Sequence, residues 1–247
     1  LWLSKAGIDS VHNLKFILDT GATRTCLDRS LVQQLGLPFL HPKTIFHFDK
    51  KLRVESAVVR TISVGPLRAE TVVVNVADLS NLEVSGTHFD AVIGLDLLQA
   101  FPFQIDYEHS HIHFGPSAPL AETIPMEPHQ RVALIALEFH KKSTRFVLDT
   151  GAQNIILFWE RVQARGSDWK FGPTETWWSS IGGRVTAREA YVHDISFWRD
   201  SHEAKVYLIH TPPSHALRNV DGFLAPMAPG VRQITFDFDH RCVSWSR

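Results

Sequence analysis

Two aspartates, Asp19 and Asp149, sit 130 residues apart in closely matching surroundings. The segment Lys15-Phe16-Ile17-Leu18-Asp19-Thr20-Gly21-Ala22 returns as Arg145-Phe146-Val147-Leu148-Asp149-Thr150-Gly151-Ala152. In both copies a basic residue and a β-prone apolar run lead into a carboxylate, and a Thr-Gly pair then turns the chain. An acid in that position ends a buried strand, where the fold can hold it rigidly. Two such acids meeting across an interface would share one proton, because adjacent like charges cannot both ionise cheaply. The chemistry open to that pair is general acid–base catalysis on a water molecule.

The elements that position these acids also repeat. Phe89-Asp90-Ala91-Val92-Ile93-Gly94-Leu95-Asp96 follows Asp19, with Asp90 71 residues downstream of it. Val220-Asp221-Gly222-Phe223-Leu224-Ala225-Pro226-Met227 follows Asp149, with Asp221 72 residues downstream. A fixed separation in both halves is the mark of an internal duplication. Asp90, Asp96 and Asp221 flank the apolar segments and are expected to bond local backbone.

Taken together, the paired segments resemble those of aspartic proteases: pepsin-like in being a bilobed single chain, retropepsin-like in having small lobes and Ala after Gly. The resemblance implies a mainly β fold of two similar acid-protease β-barrel lobes with a cleft between them, residues 1–118 and 119–247. It implies an aspartic endopeptidase in which Asp19 and Asp149 hold the attacking water. Thr20 and Thr150 would cross-link the two loops, and Gly21 and Gly151 would let main-chain N–H groups approach the carboxylates. In the family a hydrophobic-hydrophobic-Gly segment packs beside the catalytic loop. Val92-Ile93-Gly94 keeps that pattern, whereas the second half has Ala225 and then Pro226. The extra methyl of Ala225 implies a slightly displaced second lobe. Pepsin-like enzymes often carry Ser or Thr where this chain has Ala22 and Ala152. Losing that hydroxyl donor should raise the titration of the pair, giving a mildly acidic to near-neutral optimum.

A hairpin near Phe46 and Phe48, with Asp49, Lys50 and Lys51 at its tip, falls where the family has a substrate-covering flap. The flap Tyr of pepsin-like enzymes is absent there, since the only tyrosines are Tyr107, Tyr191 and Tyr207. A second hairpin is expected around Trp177 to Val185, with Ile181, Gly182 and Gly183 at its turn and in reach of substrate. Ordinary surface hairpins and aromatic core packing are the competing readings of these two stretches. An N-capping Ser30 predicts a short helix ending at Gly36, and Phe158 to Arg165 predicts its counterpart. Gly115-Pro116-Ser117-Ala118-Pro119, continuing to Pro125 and Pro128, reads as the linker, with prolines that cannot join central ladders.

Composition narrows the remaining options. The formal charge of −1 over 247 residues gives no basis for a nucleic-acid partner. No apolar run reaches transmembrane length and no signal peptide opens the sequence, so no membrane partner is expected. Cys26 and Cys242 read as free thiols rather than a bridge and leave the compartment open, with a secreted or periplasmic setting favoured over a cytoplasmic one. His109, His111 and His113 alternate, but an expected turn at His109-Ser110 would splay them, so exposed strand histidines are preferred to a zinc site. Asp237 and Asp239 alternate with aromatics on a half-buried strand and do not form a second catalytic pair. No cofactor or metal is called for. The partner is a peptide or protein substrate, and having both acids in one chain favours a monomer. The alternative function is a noncatalytic peptide-binding module on the same fold.

Overall fold

The structure is a computed structural model of residues 1–247. It describes all of them except 48–49, 83–85, 129–131, 140, 166–168, 181–182, 197–201, 211–212, 215–216 and 229. Side chains at 46–47, 50–51, 173–174, 176–180, 183–184, 193–196 and 202–203 are likewise outside the description.

The first half forms β1 (Trp2–Ile8), β2 (Val11–Leu18), β3 (Cys26–Asp28), α1 (Arg29–Gln34), β4 (Leu40–His47), β5 (Lys50–Val64), β6 (Leu67–Ala77), β7 (Ala91–Ile93) and α2 (Leu95–Leu98). Its seven strands order as β1-β2-β7-β3-β6-β5-β4, and β1 also pairs with β5, so the sheet closes on itself. In β2 the alternation of a half-buried strand is plain, with Leu14, Phe16 and Leu18 buried. The cap of α1 is Asp28 rather than Ser30: its carboxylate accepts from the Ser30 N–H, and Gly36 leaves the helix at φ +62°.

Then follow β8 (Phe103–Asp106), β9 (His111–Phe114), β10 (Glu122–Glu127), β11 (Leu134–Phe139), β12 (Lys142–Leu148), β13 (Ile155–Phe158) and α3 (Trp159–Val162). The chain ends with β14 (Lys170–Ser180), β15 (Gly183–Ser196), β16 (His202–Ile209), β17 (Gly222–Leu224), β18 (Gln233–Asp237) and β19 (Cys242–Ser246). These twelve strands form one sheet ordered β14-β15-β16-β13-β17-β12-β11-β10-β19-β18-β8-β9, with a further β15–β11 pairing.

The expected pair of similar β-barrel lobes is therefore overturned. A small closed sheet stands beside a large twelve-stranded one that also takes β8 and β9 from the first half. The physical reason lies in β10. Its residues Glu122–Pro125 pair with β19, and Met126 and Glu127 then pair with β11. The linker expected to run on to Pro125 is thereby corrected: Pro125 lies inside β10 opposite Cys242, and, having no N–H to give, it stands where the strand changes neighbours. Through β19 and β18 the pairing continues to β8, where Phe103 stacks on Phe236 with ring centroids 4.9 Å apart.

Both hairpins expected near the substrate exist as backbone. His47 pairs with Lys50 across the β4–β5 turn, and Ser180 with Gly183 across the β14–β15 turn. Phe48, Ile181 and Gly182 lie outside the described residues, as do the side chain of Phe46 and the surroundings of Gly183. Among the described residues no helix is long and apolar enough to cross a membrane.

Candidate active site

Each candidate aspartate leaves a strand held on one side by a parallel neighbour. Phe16, Ile17 and Leu18 of β2 pair with Ala91, Val92 and Ile93 of β7. Phe146, Val147 and Leu148 of β12 pair in the same sense with Gly222, Phe223 and Leu224 of β17. The Asp19 N–H donates to the Ile93 carbonyl and the Asp149 N–H to the Leu224 carbonyl, both at 3.0 Å. Four residues upstream, Asp90 Oδ2 accepts from the Lys15 N–H and Asp221 Oδ2 from the Arg145 N–H. Asp90 and Asp221 thus bond strands more than seventy residues away in sequence, and Asp96 of α2 bonds Thr25, 71 residues away, a correction to the expectation of local bonding. Asp221 also pairs with Arg165 Nη2 at 2.8 Å.

The two loops lock reciprocally. The Thr20 N–H donates to Thr150 Oγ1 and the Thr150 N–H to Thr20 Oγ1, each at 3.1 Å. Thr20 Oγ1 donates to the Leu148 carbonyl at 2.6 Å, and Thr150 Oγ1 to the Leu18 carbonyl at 2.9 Å. Both threonines are buried. This arrangement brings each glycine against the opposite acid. A Cβ on Gly21 would lie 2.6 Å from Asp149 Cγ, and one on Gly151 would lie 2.7 Å from Asp19 Cγ. No side chain larger than hydrogen fits at either position.

The carboxylates are held from behind by amides. Asp19 Oδ1 accepts from the N–H groups of Gly21 and Ala22 at 2.8 and 2.9 Å. Asp149 Oδ1 accepts from those of Gly151 and Ala152, both at 2.9 Å. Ala22 and Ala152 contribute backbone only. Burial raises the pKa of Asp149 well above the ordinary carboxylate range, and the Asp19 charge beside it raises it further. Burial also raises Asp19, against the lowering effect of its bonds to Asp149, Ala22 and Gly21. The pair consequently retains a proton above the pH at which a free carboxyl loses it. Both residues keep partial exposure, so water can reach them.

The two surroundings are not equivalent. In the first half Thr25 donates its N–H and hydroxyl to Asp96 Oδ1, both at 2.8 Å, and accepts from the Gly94 N–H. The Leu95 N–H donates to the Ala22 carbonyl at 2.8 Å. The corresponding residues after Asp149 are Ile155, which lacks the hydroxyl, Met227, which lacks the accepting carboxylate, and Pro226, which lacks the N–H. A Cβ on Gly94 would come within 2.7 Å of the Arg24 carbonyl carbon, while its counterpart Ala225 is accommodated fully buried.

Sequence reasoning missed the Thr25–Asp96 brace, since a Thr six residues after an Asp carries no motif. It also missed Tyr107, whose pKa is raised by burial and by the charge of Asp149. The histidine triplet divides as its turn predicted: His109 bonds Asp106, and His111 and His113 lie exposed on β9. Among the described residues no three His, Cys, Asp or Glu side chains converge as a metal set. Both cysteines are free, and burial pushes the Cys26 thiol up to about 12.

Against known families, residues 5–97 match the model of the aspartyl protease family. The match covers less than half of the chain and stops before Asp149. The resemblance had implied paired lobes over the whole sequence, and that implication is overturned by this extent as well as by the unequal sheets. No curated protein matches the chain.

Proposed function

We propose that this protein hydrolyses peptide bonds with a water molecule activated by Asp19 and Asp149. The observation that carries the reading is the reciprocal lock, in which each loop's glycine is packed against the other loop's carboxylate. Both acids stay partly exposed with amide donors behind them, which supports the same reading. The ionised carboxylate takes a proton from the water as its oxygen attacks the scissile carbonyl carbon. The other carboxyl gives its proton to the carbonyl oxygen, and a gem-diol forms. In the collapse, one diol proton returns to the pair and the proton held by the pair goes to the amide nitrogen. The C–N bond breaks, leaving an acid and an amine, and the pair again holds one proton.

The raised pair supports activity from mildly acidic to near-neutral pH, and the lack of a side-chain donor at Ala22 and Ala152 supports the same range. The test is cleavage of a randomised peptide library from pH 3 to 7.5 by wild type, Asp19→Asn and Asp149→Asn. Products made by wild type alone are expected. Equal cleavage by either Asn variant would refute the dyad, and a folded wild type that binds peptides without cleaving them would make this a binding module.

A further inference from the structure

A groove of about 610 Å3 is lined by no residue of the dyad loops. Leu3, Ser4 and Lys5 of β1 form one wall and residues 110–114 the other, with Val64, Gly65 and Pro66 completing it. Two strand edges face this space. β5 pairs with β1 only from Ala6 onward, leaving Leu3 to Lys5 uncovered. β9 ends the twelve-stranded sheet, and among the described residues nothing pairs with its outer side.

The register shows which backbone groups face outward. The Gly115 N–H donates to the Pro102 carbonyl at 2.7 Å, which makes 102/115 a hydrogen-bonded pair of the β8–β9 ladder. Alternation then makes Gln104/His113 and Asp106/His111 the bonded pairs, and directs the N–H and C=O of Ile112 and Phe114 away from β8. In the other half, β19 holds the equivalent place, with Val243 and Trp245 corresponding to Ile112 and Phe114. There the outer edge is occupied by β10, whose Ile124 and Glu122 lie opposite Val243 and Trp245. β10 is an extended strand with a glutamate at each end.

The chemistry of the groove matches such an occupant. Lys5, His111 and His113 are its ionisable lining residues, all exposed, and no carboxylate lines it. The nearest acid on the neighbouring strand, Asp106 opposite His111, is engaged by His109 and Gln233. Open strand edges recruit extended chains through main-chain bonds, and flanking charge selects among them. We infer that the β9 edge is a docking site for an extended, acidic polypeptide segment, which adds as a strand beyond Ile112 and Phe114 with its carboxylates toward Lys5, His111 and His113.

The probe is a synthetic peptide spanning residues 120–128, mixed with the Asp149→Asn protein so that hydrolysis cannot consume it. Hydrogen exchange at the Ile112 and Phe114 amides should slow on binding. Ile112→Pro deletes an outward N–H without touching the β8 ladder and should weaken binding about fivefold to tenfold, as the loss of one hydrogen bond of ~1 kcal/mol implies. The double change His111→Glu and His113→Glu should weaken it more than tenfold, as should Lys in place of both peptide glutamates. The proposal fails if saturating peptide protects other amides but not these two, or if the Lys peptide binds equally well. It also fails if both amides are already protected in a peptide-free protein of doubled mass, which would make the edge a contact between two copies.

Discussion

Replacing Thr20 by Val keeps the side-chain shape and removes only the hydroxyl, so it isolates the lock between the loops. That hydroxyl accepts from the Thr150 N–H at 3.1 Å and donates to the Leu148 carbonyl at 2.6 Å, and the residue is fully buried. Neither partner gains a water in exchange. Two orphaned buried groups at about 1–3 kcal/mol each give a loss of about 2–6 kcal/mol. With a urea slope of roughly 2 kcal/mol per molar, the unfolding midpoint should fall by roughly 1–3 M. Thr20→Ser keeps both bonds and loses one methyl, for a cost of about 1 kcal/mol. Urea titration of wild type, both variants and Thr150→Val would measure this, with the double Val variant giving the coupling between the two hydroxyls. A Val cost no larger than the Ser cost would refute the reasoning, since the hydroxyl would then hold nothing together.

Three other outcomes follow from the same geometry. Because Asp149 has its pKa raised in the fold, its contribution to stability is full below about pH 4, the unfolded value, and is lost as pH rises through the folded value. Asp149→Asn should therefore melt progressively higher than wild type as pH increases from that point, while peptide hydrolysis disappears; a pH-independent difference in melting temperature would contradict the shared proton. Gly94→Ala brings a methyl within 2.7 Å of the Arg24 backbone and should cost about 1–3 kcal/mol by denaturant titration, whereas Ala225→Gly should cost about 1 kcal/mol or less. Adding a hydroxyl donor with Ala22→Ser or Ala152→Ser should move the pH profile of hydrolysis toward acid, and a shift in the alkaline direction would argue against carboxylate stabilisation as the control.

The candidate site was more legible than the architecture around it. Asp19 and Asp149 stood out because strand, acid and turn are encoded within eight contiguous residues, and because the segment occurs twice. The short helix after Asp19 was readable too, although its cap fell on Asp28, two residues before the serine chosen from sequence. What joined the strands was not readable. β10 pairs with residues 242–245, more than a hundred positions away, and nothing in Glu122–Glu127 names that partner. Counting two duplicated loops suggested two equal lobes, but the strand ladder through β10, β19, β18 and β8 merges the second half with a hairpin from the first. The Thr25–Asp96 brace escaped for a related reason: its two members are 71 residues apart and belong to no local pattern.

The shared sheet sets an order on the making of this molecule. The β8–β9 hairpin is complete once residue 114 has left the ribosome, yet its neighbour β18 consists of residues 233–237. Long-range pairings of this kind come late in folding, because the intervening chain must be closed first. Thr20 likewise has no partner until Leu148 and Thr150 exist. A nascent chain carrying only Asp19 holds a lone acid in an unlocked loop. The paired carboxylates come into being only after the loop that carries Asp149 has been synthesised.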